Sequence, residues 1–322
     1  MHALNLDMCE AMTQALLAWQ SDPEIECIVV DHAENTRGFC AGGDILMLAS
    51  SGQGDGQEGA AFFAAEYRLN TVIQEYKKPY VAILDGVTMG GGVGISVHGS
   101  HRIATERTVF AMPESGIGLF PDVGGGYFLP RLSGELGLWL ALTGARLKGA
   151  DVLACGVATH FIGSDHLGAL VETLCEQGIA SLDELQTTAP ASFETQRGQM
   201  DQHFSAASVE EIMESLSGGE SWAREQAEII ATKSPLTCKT AFRQLRSGAQ
   251  MSFRDVMTME YRIATRMIQT DNFQEGVRAL LIDRDGKPIW NPASLEQVSN
   301  ALVDSFFAPL ADGDLEFLEN GT

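Results

Sequence analysis

The sequence predicts an α/β fold, because strand-like and helix-like segments alternate along its first half. Short, β-branched apolar segments are typical of buried strands, and they occur at residues 25–30, 80–84, 102–104 and 109–111. Apolar residues at helical spacing predict helices over residues 7–20, with Asp7 as the N-cap, and over residues 60–76. Loops are predicted at residues 37–44 and 50–59. This alternation indicates βαβ units, and the chain after Ser164 has mostly helical periodicity.

Composition excludes several classes of protein. The 322 residues carry a formal net charge of −22, and 45% of them are hydrophobic, which is too apolar for a disordered chain. No apolar run approaches the roughly 18 residues that a membrane span needs. The acidic charge disfavours binding to nucleic acid, whose phosphates would repel it. Six scattered cysteines and no secretory signal predict reduced thiols and a cytoplasmic location.

Positive charge is concentrated in one segment. Residues 233–287 carry 10 basic and 6 acidic side chains, in a chain that has only 21 basic residues. Two interpretations are open. The segment either presents a solvated helical face or binds a polyanionic small molecule such as a nucleotide or a CoA tail. In the second case, the candidates are the basic residues near 239–246 and 284–287.

Several common catalytic motifs are missing from the sequence. It contains neither the phosphate-binding G-x-x-x-x-G-K-[ST] pattern nor the nucleophile motif G-x-S-x-G. His98 and His101 stand three residues apart, but no carboxylate or thiol accompanies them locally. We therefore predict no metal site.

Two glycine-rich loops follow predicted strands, at residues 39–44 and 89–92. Glycine lets backbone N–H groups approach a ligand closely, and two N–H groups aimed at one oxygen form an oxyanion hole. Taken alone, the same glycines could also form ordinary tight turns.

Two carboxylates, Glu114 and Asp122, lie in a third loop that is otherwise apolar and rich in glycine and proline. Burial in such surroundings would raise the pKa of a carboxyl group toward the range that acid–base catalysis uses. The alternative for each residue is a capping or turn role.

These three features, in this order, resemble the crotonase (enoyl-CoA hydratase/isomerase) superfamily, whose pattern is F-x-A-G-x-D, a Gly-Gly-Gly turn and then an acidic residue after a short strand. Longer stretches are similar to the branch of that superfamily that hydrolyses 3-hydroxyisobutyryl-CoA. They cover residues 80–94, 110–132, 142–144, 149–152, 258–262 and 273–283. The resemblance implies a crotonase-like spiral of βαβ units with a helical C-terminal region.

The resemblance also implies roles for individual residues. The N–H groups of Gly43 and Gly91 would form the oxyanion hole around the thioester oxygen. Glu114 would be the main catalytic carboxylate, and Asp122 would bind the 3-hydroxyl group or position water. Glu66 matches a further acid that contacts the substrate, although its place in a predicted helix leaves a surface role open.

Gly94 distinguishes activities within the superfamily. Hydratases carry a second glutamate three residues after the oxyanion glycine, and this chain has Gly94 there, as the hydrolase branch has a glycine. The resemblance therefore implies hydrolysis of the thioester of 3-hydroxyisobutyryl-CoA, and of 3-hydroxypropionyl-CoA as a further substrate, in valine breakdown. The alternatives are an enoyl-CoA hydratase or isomerase and a non-catalytic acyl-CoA-binding or scaffold protein.

Further expectations concern organisation and partners. Residues 1–177 are expected to form the α/β core with the catalytic groups, and residues 178–322 a mainly helical region that completes the acyl-CoA site. The substrate supplies the CoA, so we expect no separate cofactor; no nucleic acid or membrane partner is expected, and a homo-oligomer fits the superfamily. Family members carry additional strands before the part that matches residues 3–5, so we expect those strands to be missing here. A eukaryotic protein with a longer N-terminus would belong in the mitochondrial matrix.

Overall fold

Two β-sheets form the framework that carries the glycine-rich loops. The computed structural model describes residues 2–33, 36, 38–187 and 191–318. Within these ranges the strands are β1 (Ile28–Val30), β2 (Tyr80–Leu84), β3 (Val87–Met89), β4 (His101–Ala104), β5 (Val109–Ala111), β6 (Leu147–Lys148) and β7 (His160–Phe161). One sheet has the order β1-β2-β4-β7 and is wholly parallel. In the other, β3 pairs parallel to β5, and β5 pairs antiparallel to β6.

The four predicted strands are confirmed, and the first of them, predicted at residues 25–30, is shorter than expected. Residues 80–84 form β2, which is buried along its whole length, as a continuous apolar run predicts for a central parallel strand. The segment predicted as a strand at residues 25–30 enters the sheet only at Ile28. Before that point the chain turns, and the N–H of Ile25 donates to the carbonyl of Asp22.

The helices of the first half lie between and around these strands. They are α1 (Leu6–Ser21), α2 (Ile45–Gln53), α3 (Gln57–Gln74), α4 (Gly91–Gly94), α5 (Gly125–Phe128), α6 (Leu136–Thr143), α7 (Ala150–Ala154) and α8 (Leu167–Gln177). Asn5 caps α1 by accepting the N–H of Met8 at 2.9 Å, so the prediction of Asp7 as the cap was wrong. The loop predicted at residues 50–59 is also partly helical, because α2 continues to Gln53. Arg37, the predicted start of the loop 37–44, lies outside the described residues.

The second half is helical, as predicted. Its helices are α9 (Ser181–Leu185), α10 (Arg197–Phe204), α11 (Val209–Ser217), α12 (Ser221–Ala231), α13 (Pro235–Gly248), α14 (Phe253–Met267), α15 (Asp271–Val277) and α16 (Asn300–Phe307). Short 3₁₀ turns occur at Glu114–Gly116, Leu129–Arg131, Ser164–His166, Phe193–Gln196 and Leu295–Gln297, and a π-helical turn occupies Arg278–Ile282. The chain is therefore α/β with a helical C-terminal region. None of the helices in the described ranges is long and apolar enough to cross a bilayer.

The helical region packs directly on the elements that carry the predicted site. α14 lies against α3, and α13 lies against α5 and α6. One hydrophobic core includes buried side chains from both halves, among them Phe63 of α3 and Met257 of α14. The division at residue 177 stays a prediction.

Candidate active site

The five residues predicted to act on a substrate line one cavity. Its volume is about 80 Å³, and its walls include Gly43, Gly91, Glu66, Glu114 and Asp122. These residues are spread over 80 positions of sequence, from the loop before α2 to the turn before α5. The fold therefore gathers into one place the groups that the sequence could identify only as separate motifs.

The amide of Gly43 is free to serve as one oxyanion donor. The N–H of Leu4 donates to the carbonyl of Gly42 at 2.8 Å, and the N–H of Asp44 donates to the carbonyl of Leu4 at 3.1 Å. These two bonds flank Gly43, so its own N–H points to the opposite edge of the segment, away from Leu4. Within the described ranges this N–H donates to no protein acceptor.

Gly91, whose amide is the second predicted oxyanion donor, lies at the first position of α4, where a helix leaves its N–H groups without intrahelical partners. The preceding residue, Gly90, has a φ of +49°. A Cβ atom built on Gly91 would lie 2.5 Å from Oε1 of Glu66. A larger residue at position 91 would therefore push the carboxylate of Glu66 out of the cavity wall.

Glu114 is buried without a protein partner for one of its oxygens. It begins the 3₁₀ turn after β5 and is only 4% exposed. Its Oε2 atom has no hydrogen-bond partner in the part of the chain that the structure describes. Burial raises the pKa of Glu114 well above its usual range, and the negative charge of Asp122 raises it further. An unsatisfied buried oxygen in a cavity wall is a place where substrate or water would bind.

Asp122 lies in the same wall and has one protein partner. The hydroxyl of Tyr67 donates to its Oδ2 atom at 2.9 Å. Burial raises the pKa of Asp122 to about 7, although the hydrogen bond from Tyr67 acts in the opposite direction. A hydrogen bond from the backbone N–H of Asp122 to its own carboxylate also lowers this pKa.

Glu66 is buried, so the surface role that its helix left open is wrong. It is 2% exposed on α3, and its Oε1 atom has no hydrogen-bond partner within the described residues. Burial raises the pKa of Glu66 well above its usual range, and the nearby charge of Asp122 adds to the effect. Burial thus raises the pKa of all three acids in this cavity.

Gly94 has no room for a side chain. A Cβ atom at this position would lie 2.8 Å from Nδ2 of Asn70 and 2.8 Å from Cβ of Val123. Both neighbours are buried, and neither is the mobile end of a long side chain. The second glutamate that hydratases carry at this position is therefore absent from the sequence and also sterically excluded by this packing.

The turn that carries Asp122 has unusual backbone geometry. Val123 has a φ of +51°, which costs on the order of 1–3 kcal/mol for a residue other than glycine. Gly124 follows at +86°, and a Cβ atom there would lie 2.5 Å from the ring of His98. Burial lowers the pKa of His98 to about 4, so its ring is neutral and its Nε2–H donates to the carbonyl of Val123 at 2.7 Å.

Sequence reasoning did not assign roles to Tyr67, Asn70, His98 and Glu260. Glu260 is fully buried, and its carboxylate accepts the N–H groups of Gly124 and Gly126. A signal for it existed, since residue 260 lies in one of the stretches that resemble the hydrolase branch. Nothing in the spacing of the four residues connects them with the cavity, because the contacts that do so are long-range.

The predicted phosphate-binding cations at residues 239–246 are paired with acids. Lys239 contacts Glu210 at 2.7 Å and Arg246 contacts Glu135 at 3.0 Å. Arg243 forms an ion pair with Asp304. Lys239, Arg243 and Arg246 line a separate cavity of about 650 Å³ that does not contain the carboxylates of the catalytic cavity. A role for residues 239–246 and 284–287 in binding CoA phosphates stays a prediction.

Comparison with known proteins identifies the family. The sequence pattern of the enoyl-CoA hydratase/isomerase family matches residues 1–307. The chain belongs to this family. The mitochondrial 3-hydroxyisobutyryl-CoA hydrolase of Danio rerio is 46% identical over 330 positions, which cover 98% of this chain and 86% of the relative. The enzyme of the same name from Homo sapiens is 44% identical with the same coverage.

Solved structures of this family confirm the fold. A structure described as a carnitinyl-CoA dehydratase from Mycobacterium thermoresistibile has a TM-score of 0.93 and 38% identity, covering 98% of this chain and 92% of the other. One described as an enoyl-CoA hydratase from Rhodobacter sphaeroides has a TM-score of 0.91 and 36% identity, covering 98% and 93%. The enoyl-CoA hydratase/isomerase relatives thus share one fold and carry different activity names, so the fold alone does not determine the activity.

Proposed function

We propose that the protein hydrolyses the thioester of 3-hydroxyisobutyryl-CoA to the free hydroxy acid and CoA. The observation that carries this proposal is the packing around Gly94, because hydration of a double bond needs a second glutamate there. Thioester hydrolysis needs only one nucleophile or base beside an oxyanion hole. The names of the vertebrate relatives support the same activity. The alternatives, hydration and a non-catalytic binding role, are not favoured.

In the first step, the amides of Gly43 and Gly91 donate to the thioester oxygen. Charge develops on this oxygen as the carbonyl carbon becomes tetrahedral. Each fixed donor of this kind lowers the barrier by about 2.7–4 kcal/mol. Both amides are held by backbone geometry, so little reorganisation is needed when the charge appears.

Glu114 promotes the attack on the thioester carbon by one of two routes. In the first, its carboxylate oxygen bonds to the carbonyl carbon, the C–S bond breaks, CoA leaves as the thiolate, and water hydrolyses the mixed anhydride. In the second, Glu114 takes a proton from water while that water forms the C–O bond and displaces the thiolate. Burial that raises the pKa of Glu114 makes its ionised form a stronger nucleophile and a stronger base.

Asp122 and Glu66 are proposed to recognise the 3-hydroxyl group of the acyl chain. Both acids line the cavity, and Oε1 of Glu66 has no hydrogen-bond partner within the described residues. Tyr67 donates to Oδ2 of Asp122 and fixes its orientation. A hydroxyl bound to a buried acid gives strong selection against an acyl group that lacks it, because the acid is then left unpaired. The 3-hydroxypropionyl group carries the same hydroxyl, so it is a second substrate under this proposal.

The decisive test is free-thiol release from 3-hydroxyisobutyryl-CoA, isobutyryl-CoA and crotonyl-CoA. We expect fast release with the hydroxylated substrate and at least a hundredfold lower kcat after Glu114→Gln, since the amide is neither nucleophile nor base. Asp151→Asn is the matched control, because Asp151 is a buried carboxylate that accepts the N–H of Ser192 at 2.5 Å outside the cavity. Its kcat should stay close to the wild-type value.

Two results would contradict the proposal. Water addition to crotonyl-CoA without thiol release would identify a hydratase, and thiol release that survives Glu114→Gln would remove Glu114 from the mechanism. A single turnover in ¹⁸O-labelled water tests the anhydride route. Label recovered in Glu114 supports the mixed anhydride, because water that attacks the Glu114 carbonyl of the anhydride leaves its oxygen there. Label found only in the hydroxy acid is expected from direct attack by water and also from attack at the acyl carbon of the anhydride.

The cellular setting is also a proposal. The vertebrate relatives are named as mitochondrial. We propose the mitochondrial matrix if the source is eukaryotic and the cytoplasm otherwise, with valine breakdown as the pathway in both cases. No cofactor beyond the CoA of the substrate is proposed, and a homo-oligomer stays a prediction.

A further inference from the structure

The turn formed by residues 121–126, here called the aspartate turn, has a backbone that its own sequence does not favour. Val123 is β-branched and adopts a left-handed conformation, with a φ of +51°. Such a conformation persists only where surrounding groups hold it in place. Asp122 immediately precedes Val123, so whatever holds this residue also fixes the direction of the Asp122 side chain.

Glu260 of α14 binds two backbone N–H groups of the aspartate turn. Its Oε2 atom accepts the N–H of Gly124 at 2.7 Å, and its Oε1 atom accepts the N–H of Gly126 at 2.8 Å. Gln244 of α13 donates through Nε2 to Oε1 of Glu260 at 2.9 Å and to the carbonyl of Pro121 at 2.7 Å. Burial raises the pKa of Glu260 to about 8, and the hydrogen bonds from Gly124, Gly126 and Gln244 act in the opposite direction, because N–H donors favour the ionised carboxylate.

His98 forms a hydrogen bond with a backbone carbonyl of the same turn. Its Nε2–H donates to the carbonyl of Val123, while its ring packs against Phe253 with the ring centroids 4.7 Å apart. Phe253 and Glu260 both belong to α14. α14 thus contacts the turn in two ways. Its Glu260 binds the turn directly, and its Phe253 packs against His98, which binds the carbonyl of Val123.

We propose that Glu260 is a positioning residue, which sets the orientation of Asp122 in the cavity by binding the Gly124 and Gly126 amides. Glu260 is not among the residues that line the cavity within the described part of the chain, so it acts through Asp122. The kinetic consequences rest on the proposed hydrolase function. The structural consequence, a fixed Asp122 beside Tyr67, does not depend on that function.

The proposal has a specific kinetic signature. A displaced Asp122 would lose its contact with the 3-hydroxyl group, while the oxyanion amides and Glu114 would stay in place. Turnover of the hydroxylated substrate should therefore fall more than turnover of isobutyryl-CoA, and the selectivity between them should collapse. A loss of general stability would instead lower both activities equally. Misplacement of a catalytic contact by about 1 Å costs on the order of a hundredfold in rate.

The test is Glu260→Gln, which keeps the size of the side chain but turns one acceptor into a donor that faces a backbone N–H. We expect kcat for 3-hydroxyisobutyryl-CoA to fall about 10- to 100-fold, with a smaller change in KM and no more than about a threefold fall for isobutyryl-CoA. Asp151→Asn is the matched control, and its selectivity should equal that of the wild type. If Glu260→Gln does not fold, Gln244→Leu should give a weaker shift in the same direction.

Crystal structures of the wild type and the Glu260→Gln variant supply a readout without turnover. We expect the Tyr67 Oη to Asp122 Oδ2 distance to exceed 3.5 Å in the variant. An unchanged Tyr67–Asp122 contact, or wild-type selectivity between the two thioesters, would overturn the proposal. If the wild type releases no thiol from either substrate, the proposed function fails. The positioning role is then decided by the two structures alone.

Discussion

Asp122→Asn is expected to make the protein more stable at pH 8 while removing most of its activity. Burial raises the pKa of Asp122 from its ordinary 3.8 to about 7, so the folded protein binds this proton more tightly than the unfolded chain does. One pKa unit corresponds to about 1.36 kcal/mol, so the ionised carboxylate destabilises the folded state by roughly 4 kcal/mol at pH 8. Asparagine is neutral, and its carbonyl oxygen still accepts the hydroxyl of Tyr67.

The effect should depend on pH in a defined direction. The destabilisation by Asp122 is absent below its unfolded pKa, grows as pH rises, and is complete above its folded pKa. At pH 5.5 the advantage of Asp122→Asn should shrink to roughly 2 kcal/mol. Chemical denaturation of both proteins at pH 5.5 and pH 8, followed by tryptophan fluorescence, measures this difference. A variant that is less stable than the wild type at pH 8, or an advantage that does not change with pH, would refute the reasoning.

Two further predictions concern neighbours of the acids. Gly94→Ala should lower the free energy of unfolding by about 1–3 kcal/mol, because the added methyl group overpacks against Asn70 and Val123; chemical denaturation measures this change. The variant should not gain hydration of crotonyl-CoA, which the absorbance of the enoyl thioester measures. Tyr67→Phe removes a hydrogen bond that lowers the pKa of Asp122, so the pH at which kcat/KM reaches half its maximum should move upward from about 7. A midpoint that stays in place, with kcat unchanged, would mean that Asp122 does not control the profile.

Much of the fold could be predicted because its signals are local. The run of apolar residues at 80–84 is β2 with the predicted bounds, and the helical second half follows its periodicity. The errors are also local. Asn5 and not Asp7 is the N-cap, because Asn5 is the residue that immediately precedes the helix. The small residues at the end of α2 are helical because of tertiary packing, which the periodicity of the sequence does not reveal.

The members of the site could be predicted, but their support could not. Glycine loops and carboxylates in an apolar loop carry a chemical signature that is visible in sequence. The groups that contact Asp122 and its turn are Tyr67 and Glu260, which lie in helices, and His98, which lies in a turn, and their contacts span 25 to 136 positions of sequence. No local pattern encodes a contact of that kind. The surface role considered for Glu66 fails for the same reason, since burial of one helix face is decided by tertiary packing.

The clustering of buried acids also explains how the cavity tolerates a developing oxyanion. Three ionised carboxylates would repel the negative charge that forms on the thioester oxygen. Burial and the mutual repulsion of the acids favour the protonated form of Glu66 and raise the pKa of Asp122 to about 7, so these two acids carry less negative charge near neutral pH than free carboxylates would, while Glu114 reacts in its ionised form under the proposed mechanism. Neutral carboxyl groups can also hydrogen-bond a substrate hydroxyl as donor or acceptor. The loss of stability that the ionised Asp122 causes is thus a direct consequence of placing acids where an anion must form. Replacing Asp122 with asparagine should therefore raise the stability of the fold and lower the selectivity for the hydroxylated substrate.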